Sequence, residues 1–231
     1  MIFIVIVFAL ISFAVSARLK SKFAEYSKVH LLGNLSGKEV AEKMLRDSGI
    51  YDVKVISVEG QLTDHYNPLT KTVNLSNDVY NGKNVSAAAV AAHECGHAVQ
   101  HATAYSMLKL RSTLVPVQNV SAKIMNIVMM AMMFGGYFLF ETFRIDIVLM
   151  VIVACNLVMT SFSLITLPVE FDASSRGLAW LSKSGMVAAY EQEKAKDALW
   201  WAAMTYVVAA LGAIAQLLYW VMILMGDRRR D

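Results

Sequence analysis

The chain has 231 residues, 57% of them hydrophobic, and its mean hydropathy of +0.49 is too high for an ordinary soluble domain. Its net charge is only +3, and its basic residues cluster beside apolar runs. This pattern is typical of membrane flanks and argues against a nucleic-acid-binding face. The two cysteines, Cys95 and Cys155, do not suggest a disulfide framework.

The first predicted element is an N-terminal transmembrane anchor at residues 1–25. Residues 2–17 are continuously apolar or small, and three basic residues between positions 18 and 22 follow them. A secretory signal peptide carries its basic residues before the apolar run, so we expect a retained anchor with its basic end in the cytoplasm. Val15-Ser16-Ala17 is also compatible with a cleavage site, so removal of this segment is the open alternative.

Residues 26–116 are polar and mixed in composition, and they predict a small α+β domain. Ser36 and Glu39 have the spacing of a capping box at the start of a helix. The stretch at 62–76 contains a turn signal followed by alternating residues, which predicts a β-hairpin just before the next helix. The edge of such a strand could pair with the backbone of an extended peptide.

Residues 89–100 contain the pattern H-E-x-x-H, with His93, Glu94 and His97, inside an alanine-rich run without proline. Such a run favours a helix, in which the two histidines lie on one face, one turn apart. Two imidazoles so placed can both reach one Zn²⁺ at about 2.0–2.1 Å. Glu94 lies beside the first histidine and can accept a proton from a metal-activated water. The alternative is a solvated helix with two surface histidines.

Residues 117–167 predict a transmembrane hairpin. Two apolar runs, at 124–140 and 145–167, are joined by a short link at 141–144. Each run is long enough to cross the hydrocarbon core of a membrane or nearly so. Two crossings return the chain to the side of the membrane that it left.

Zinc hydrolases usually supply three protein ligands, and Glu170 is the candidate for the third. Two crossings separate it from His97, so both lie on the same side of the membrane. We expect Pro168 to begin a helix in the segment 168–199, with Glu170 in its first turn. An acidic residue there is also explained by the helix dipole, so spacing alone leaves both interpretations open.

The segment 200–231 predicts a last transmembrane helix and a basic tail, Arg228–Arg230. The fold class is therefore a mainly α integral membrane protein with about four transmembrane helices and a small α+β zincin-like domain, whose hairpin lies beside the H-E-x-x-H helix. Basic residues near the first two apolar runs favour a bacterial cell membrane with the zinc site on the cytoplasmic side. Four crossings would place the basic tail outside, against the same rule, which leaves its orientation open.

The stretches His93–Gln100 (HECGHAVQ) and Leu167–Ser174 (LPVEFDAS) resemble the YugP-type family of zinc-dependent membrane proteases. They resemble more distantly the membrane gluzincins of the HtpX and CAAX-prenyl-protease type. The resemblance covers most of the chain and implies that Glu170 completes the zinc site. The relatives carry an aspartate in place of Ser174, which is thought to brace a zinc-bound histidine. Asp172 is displaced by two and should face elsewhere on a helix, so the orienting group is open.

Five further residues are candidates for stabilising the transition state or orienting the ligands: His65, Tyr66, His101, Ser174 and Arg176. The side chains in the hairpin, His65 and Tyr66, and Arg176 beyond Glu170 could stabilise an oxyanion. As a fourth ligand, His101 would close the site, so we expect it to pack or to orient another group. The alternative for each of these side chains is a polar residue that makes ordinary hydrogen bonds and has no role in the chemistry.

Together these features predict a membrane-embedded zinc metallopeptidase. Zn²⁺ would be held by His93, His97 and Glu170, and Glu94 would be the general base. The expected partners are membrane lipid and a peptide or protein substrate, with no nucleic acid; the sequence does not specify the oligomeric state. The alternative is a membrane protein with a structural or sensory zinc site and no proteolytic activity, which the serine at position 174 favours.

Overall fold

The computed structural model describes the backbone of residues 1–142 and 144–227, and the side chains of residues 1–134 and 144–226. Phe143, in the predicted link, and the predicted basic tail at Arg228–Arg230 lie outside the described residues. The chain forms two compact units. Unit 1 comprises Met1–Ser12, Leu110–Thr166 and the segment from Tyr206 onward, and unit 2 comprises Phe13–Lys109 and Leu167–Thr205.

The described chain is mainly helical, with one small sheet, as the sequence predicts. The helices are α1 (Ile2–Tyr26), α2 (Gly37–Asp47), α3 (Asn77–Asn81), α4 (Val85–Ala102), α5 (Ser106–Thr142), α6 (Ile145–Lys183) and α7 (Ala189–Asp227). The strands are β1 (Lys54–Val58), β2 (His65–Asn67) and β3 (Thr72–Ser76). Within the described part of the chain, four helices, α1, α5, α6 and α7, are long and apolar enough to cross a membrane. Helices are stable in the hydrocarbon core of a membrane because they satisfy their own backbone hydrogen bonds.

Helix α6 continues through Pro168 without a break. The expectation that Pro168 begins a new helix is therefore wrong. A proline in a helix interior removes one backbone donor, but neighbouring packing can hold the helix together, and Val169 beside it is fully buried. Glu170 consequently lies deep inside a long helix, where the dipole of a helix N-terminus does not account for it.

Unit 2 contains the three-stranded sheet, in the order β1-β3-β2. Strands β2 and β3 pair antiparallel, which confirms the predicted hairpin, and β1 pairs parallel with β3. Val73 and Leu75 on β3 are fully buried in the core that also contains α2 and the alanine-rich part of α4. The hairpin contacts α4, so the sheet supports the helix that carries the two histidines.

Local capping sets where two helices of unit 2 begin. The backbone N–H of Ser36 donates to Glu39 Oε2 at 2.8 Å, and the N–H of Glu39 donates to Ser36 Oγ at 3.3 Å, which confirms the predicted capping box of α2. The Asn84 side chain accepts from the N–H of Ala87 and caps α4.

Two glycines allow α4 and α6 to approach closely within unit 2. A Cβ atom at Gly96 would lie 2.3 Å from the carbonyl oxygen of Ala173, and one at Gly177 would lie 2.8 Å from the carbonyl oxygen of Ala92. No side chain fits at these distances without moving the backbone. Because Gly96 lies between the two histidines of the motif, this crossing decides what faces them.

Replacing Gly96 with alanine should therefore push α6 away from α4. We expect Gly96→Ala to lower the free energy of unfolding by about 1–3 kcal/mol, the usual cost of overpacking. Thermal unfolding of the detergent-solubilised protein measures this. Gly226→Ala is the matched control, since no heavy atom lies within 4 Å of its added Cβ. Equal melting temperatures for Gly96→Ala and the parent would contradict the close crossing.

Candidate metal centre

Three side chains of unit 2 converge on one point. Glu170 Oε2 lies 3.4 Å from Nε2 of His93 and 3.6 Å from Nε2 of His97. The candidate ligand atoms of all three residues lie within 4.8 Å of one another, and this is the only such group of three among the described residues. The helical spacing of four places the histidine rings side by side, edge to face, with centroids 4.8 Å apart. The structure thus brings together the three residues that the sequence suggests as ligands.

The donor set and its spacing fit a zinc ion. Two imidazole nitrogens and a carboxylate oxygen are typical of zinc sites that keep one position open. Donors at about 2.0–2.2 Å from one tetrahedral zinc ion are about 3.3–3.6 Å apart. The observed separations of 3.4 and 3.6 Å between Glu170 and the two histidines are close to this range.

The other ring nitrogen of each histidine is held by a different hydrogen-bond partner. His93 Nδ1 lies 3.0 Å from Ser174 Oγ, and His97 Nδ1 lies 3.0 Å from Gln100 Oε1. The Gln100 contact requires that His97 carries its proton on Nδ1, because Oε1 only accepts. When the ring is neutral, the lone pair of His97 Nε2 is therefore directed to the convergence point, as a metal ligand requires.

The centre is largely removed from water. The Glu170 side chain is 3% exposed, and those of His93 and His97 are 13% and 9% exposed. Burial by itself lowers the pKa of His97, but the Glu170 carboxylate and the charge of Glu94 favour its imidazolium form, and the pKa is raised above the ordinary value. A metal that binds Nε2 must displace this proton, so binding weakens as the pH falls.

Glu94 is also buried, at 7% exposure, on the same helix as both histidines. Its charge acts on His97, since it contributes to the raised pKa of that ring. Cys95, between the histidines in sequence, is fully buried and its thiol faces the carbonyl oxygen of Ala41. Burial raises the pKa of this thiol, which makes it a packing residue rather than a ligand.

The remaining predicted candidates lie in two places. On the hairpin side, Tyr66 Oη and His101 Nδ1 are 2.8 Å apart, and His65 Nδ1 lies 2.7 Å from the carbonyl oxygen of Thr63. His101 is not in the group of converging ligand atoms. On α6, Arg176 donates to Asp172, one turn before it.

Sequence reasoning missed the parts played by Gln100 and Asp172. Gln100 Nε2 donates to Asp172 Oδ2 at 2.8 Å, and the hydrogen bonds of Asp172 go to Gln100 and Arg176 rather than to a histidine, in keeping with the expectation that it faces elsewhere on the helix. Asp172 does not contact a histidine, but it contacts the residue that does. The available signal was the position of Gln100, three residues after His97 and hence a neighbour on the same helix face.

The chain is similar to a known protein family and to a curated bacterial protein. Residues 1–225 match the family described as "putative neutral zinc metallopeptidase". The chain is 39% identical over 227 residues to the "putative membrane protease YugP" of Bacillus subtilis (strain 168), covering 98% of this chain and 97% of the relative. No solved structure gives a significant match.

Removing the hydroxyl group of Ser174 should weaken the centre. We expect Ser174→Ala to lower zinc affinity about 10-fold or more, because the His93 ring loses the hydrogen-bond partner that orients it. Ser174→Asp should bind zinc at least as well as the parent, since it offers a charged acceptor. Competition with a chromophoric chelator measures both affinities.

Ser163→Ala is the control for this series, because Ser163 lies on the same helix and donates to the carbonyl oxygen of Met159. It should leave zinc affinity unchanged. An unchanged affinity for Ser174→Ala would show that Ser174 does not orient His93.

Proposed function

We propose that this chain, which belongs to the family described as "putative neutral zinc metallopeptidase", is a membrane metallopeptidase that hydrolyses peptide bonds. One observation carries the proposal: a carboxylate oxygen on α6 faces the Nε2 atoms of both histidines of the H-E-x-x-H helix. The resemblance to a membrane protease of Bacillus subtilis along nearly the whole chain supports the same reaction class.

In this proposal His93 and His97 hold a zinc ion through Nε2, and Glu170 holds it through its carboxylate. Bound zinc would make a water molecule acidic enough to attack at neutral pH and would polarise the carbonyl of the peptide bond. Glu94 accepts the proton of the attacking water and delivers it to the nitrogen of the leaving amine. The burial of the centre strengthens these electrostatic interactions, since few water molecules screen them.

A peptide substrate is supported by the sheet beside the motif helix. Strand β2 is an edge strand, and its residue Tyr66 hydrogen-bonds to His101 on α4. An extended peptide can add to such an edge through backbone hydrogen bonds, and β2 is in contact with the helix that carries the two histidines. His65, Tyr66 and Arg176 are the side chains we propose for stabilising the oxyanion.

The zinc centre is proposed to face the cytoplasm of a bacterial cell. Positive residues near membrane helices stay on the cytoplasmic side. This orientation is favoured by the basic residues of α1 and α5, which are Arg18, Lys20, Lys22, Lys109 and Arg111.

Lipid then surrounds the apolar helices, whose exposed side chains include Ile2 and Phe3 of α1 and Ile127 of α5.

A single exposed cysteine tests this orientation. Leu69, in the β2–β3 turn, is 94% exposed, while Cys95 and Cys155 are buried and should react little. We expect Leu69→Cys to react with a membrane-impermeant maleimide only after the cells are permeabilised. Labelling of intact cells would place unit 2 outside. The parent chain, treated identically, gives the background from the native cysteines.

The second candidate function is a structural or sensory zinc site without hydrolysis. It is favoured by the partners of the two imidazoles, which are the neutral groups Ser174 Oγ and Gln100 Oε1 rather than carboxylates. Such neutral acceptors raise the basicity of a histidine less than a carboxylate does.

Substitution of Glu94 separates the two functions. We expect Glu94→Gln to lower peptide hydrolysis by at least about 10²-fold, because the amide cannot accept the proton of the attacking water. Zinc content should stay at the parent level. Cleavage of casein by the purified full-length protein, with and without a chelator, measures the first quantity, and elemental analysis measures the second.

Glu170→Ala is the contrasting variant, and it should lose both zinc and activity because it removes a proposed ligand. If the parent holds zinc but cleaves no substrate tested, the structural or sensory function is favoured. If Glu94→Gln cleaves as fast as the parent, Glu94 is not the base.

A further inference from the structure

Gln100 is the most completely buried polar side chain near the metal centre. It is 0% exposed and lies at the third position after His97 on α4. Its amide makes three hydrogen bonds: Oε1 accepts from His97 Nδ1 at 3.0 Å, and Nε2 donates to the carbonyl oxygen of Val169 at 2.7 Å and to Asp172 Oδ2 at 2.8 Å. Both protons of the amide nitrogen are therefore used.

The acceptors on α6 determine which way the amide points. A carbonyl oxygen and a carboxylate cannot donate, so the nitrogen of Gln100 has to face Val169 and Asp172. Its oxygen must then face His97, and an oxygen there stabilises the tautomer with the proton on Nδ1. Two groups on one helix thus select the tautomer of a histidine on another helix. The direction of the amide follows from this network.

The same amide also sets the register between the two helices. It binds the backbone of Val169, one residue before Glu170, and the side chain of Asp172, two residues after it. Gln100 therefore connects His97 to the segment that carries the third proposed ligand. A hydrogen-bonded amide without water around it is rigid, because every displacement would leave a buried polar group unpaired.

Asp172 is held in turn by Arg176. The Arg176 Nε atom donates to the oxygen of Asp172 that Gln100 also uses, and the guanidinium group lies 5.7 Å from the centroid of the Tyr105 ring. A carboxylate that accepts from the amide nitrogen polarises the amide and makes its oxygen a stronger acceptor. The negative charge of Asp172 thus reaches His97 through Gln100 rather than by direct contact.

We propose that Gln100 is the positioning residue of the metal centre, and that Asp172 acts on His97 through it. This inference rests on the proposed function, since it takes His97 and Glu170 as zinc ligands. Gln100 selects the tautomer in which Nε2 can bind the metal and holds His97 in register with Glu170. Neither Gln100 nor Asp172 touches the reacting atoms.

The test compares zinc affinity among variants of the full-length protein in detergent, using a chromophoric chelator as competitor. We expect Gln100→Met, which keeps the length of the side chain and removes the amide, to weaken zinc binding about 10–100-fold. It should also shift the visible absorption bands of the Co²⁺-substituted protein, which a purely structural role would leave unchanged. Gln192→Met is the matched control, since Gln192 Nε2 donates to the carbonyl oxygen of Leu178.

A double-variant cycle tests whether Asp172 acts through Gln100. Asp172→Ala should weaken zinc binding by a smaller factor than Gln100→Met, and should have no further effect when Gln100→Met is already present. Persistence of its full effect in that background would overturn the relay. Zinc affinity of Gln100→Met within about twofold of the parent would overturn the positioning role.

A folding defect and a failure of the proposed function give results that differ from a failure of the inference. If Gln100→Met does not unfold cooperatively, Asp172→Ala decides alone, because the Asp172 side chain is 29% exposed and its truncation removes less buried contact. A loss of zinc affinity then supports the inference, and unchanged affinity overturns it. If the variants show the expected zinc affinities but the parent hydrolyses no peptide, only the proposed function is contradicted. A parent that binds neither zinc nor Co²⁺ overturns both.

Discussion

Glu170 Oε2 lies 3.4 and 3.6 Å from the Nε2 atoms of two histidines, in a pocket where its side chain is 3% exposed. Removing a carboxylate from water costs several kcal/mol, so its position depends on groups that compensate the charge. The two imidazoles, or a cation bound between all three groups, supply that compensation. Helix α6 must therefore stay at a fixed distance and register from α4, and the rest of unit 2 serves this requirement.

Two different devices keep the helices in that relation. Gly96 and Gly177 remove the side chains that would separate the backbones at the crossing. Gln100 then spans from His97 to the carbonyl oxygen of Val169 and the carboxylate of Asp172. Close approach alone would leave α6 free to slide along α4. Directional hydrogen bonds fix the register, because a buried amide loses its bonds when either helix shifts.

The two histidines differ in how their orientation is determined. His93 depends on one hydroxyl group, that of Ser174, whose proton can rotate to suit either tautomer of the ring. His97 depends on an amide that the neighbouring helix orients, so one tautomer is imposed. The two rings of the centre are therefore oriented by hydrogen bonds of different selectivity.

The sequence by itself determined the elements whose physics is local. The four-residue spacing of His93 and His97 is one helical turn, the capping box of Ser36 spans three residues, and the apolar runs can be stable in a membrane only as helices or closed barrels. Local patterns could not decide whether α6 ends at Pro168, because the helix continues through the proline where the neighbouring Thr166 and Val169 are buried.

Only the tertiary structure decided which groups face the two histidines. Gln100 and Asp172 are 72 residues apart, and their contact depends on the crossing of two helices and on the rotamers that this crossing allows. The sequence gives the angular position of Asp172 on its own helix, and hence the direction of its side chain. It does not give the residue of the neighbouring helix that this side chain meets. Side-chain partners across helices follow from packing distances, and no spacing within a single segment encodes those distances.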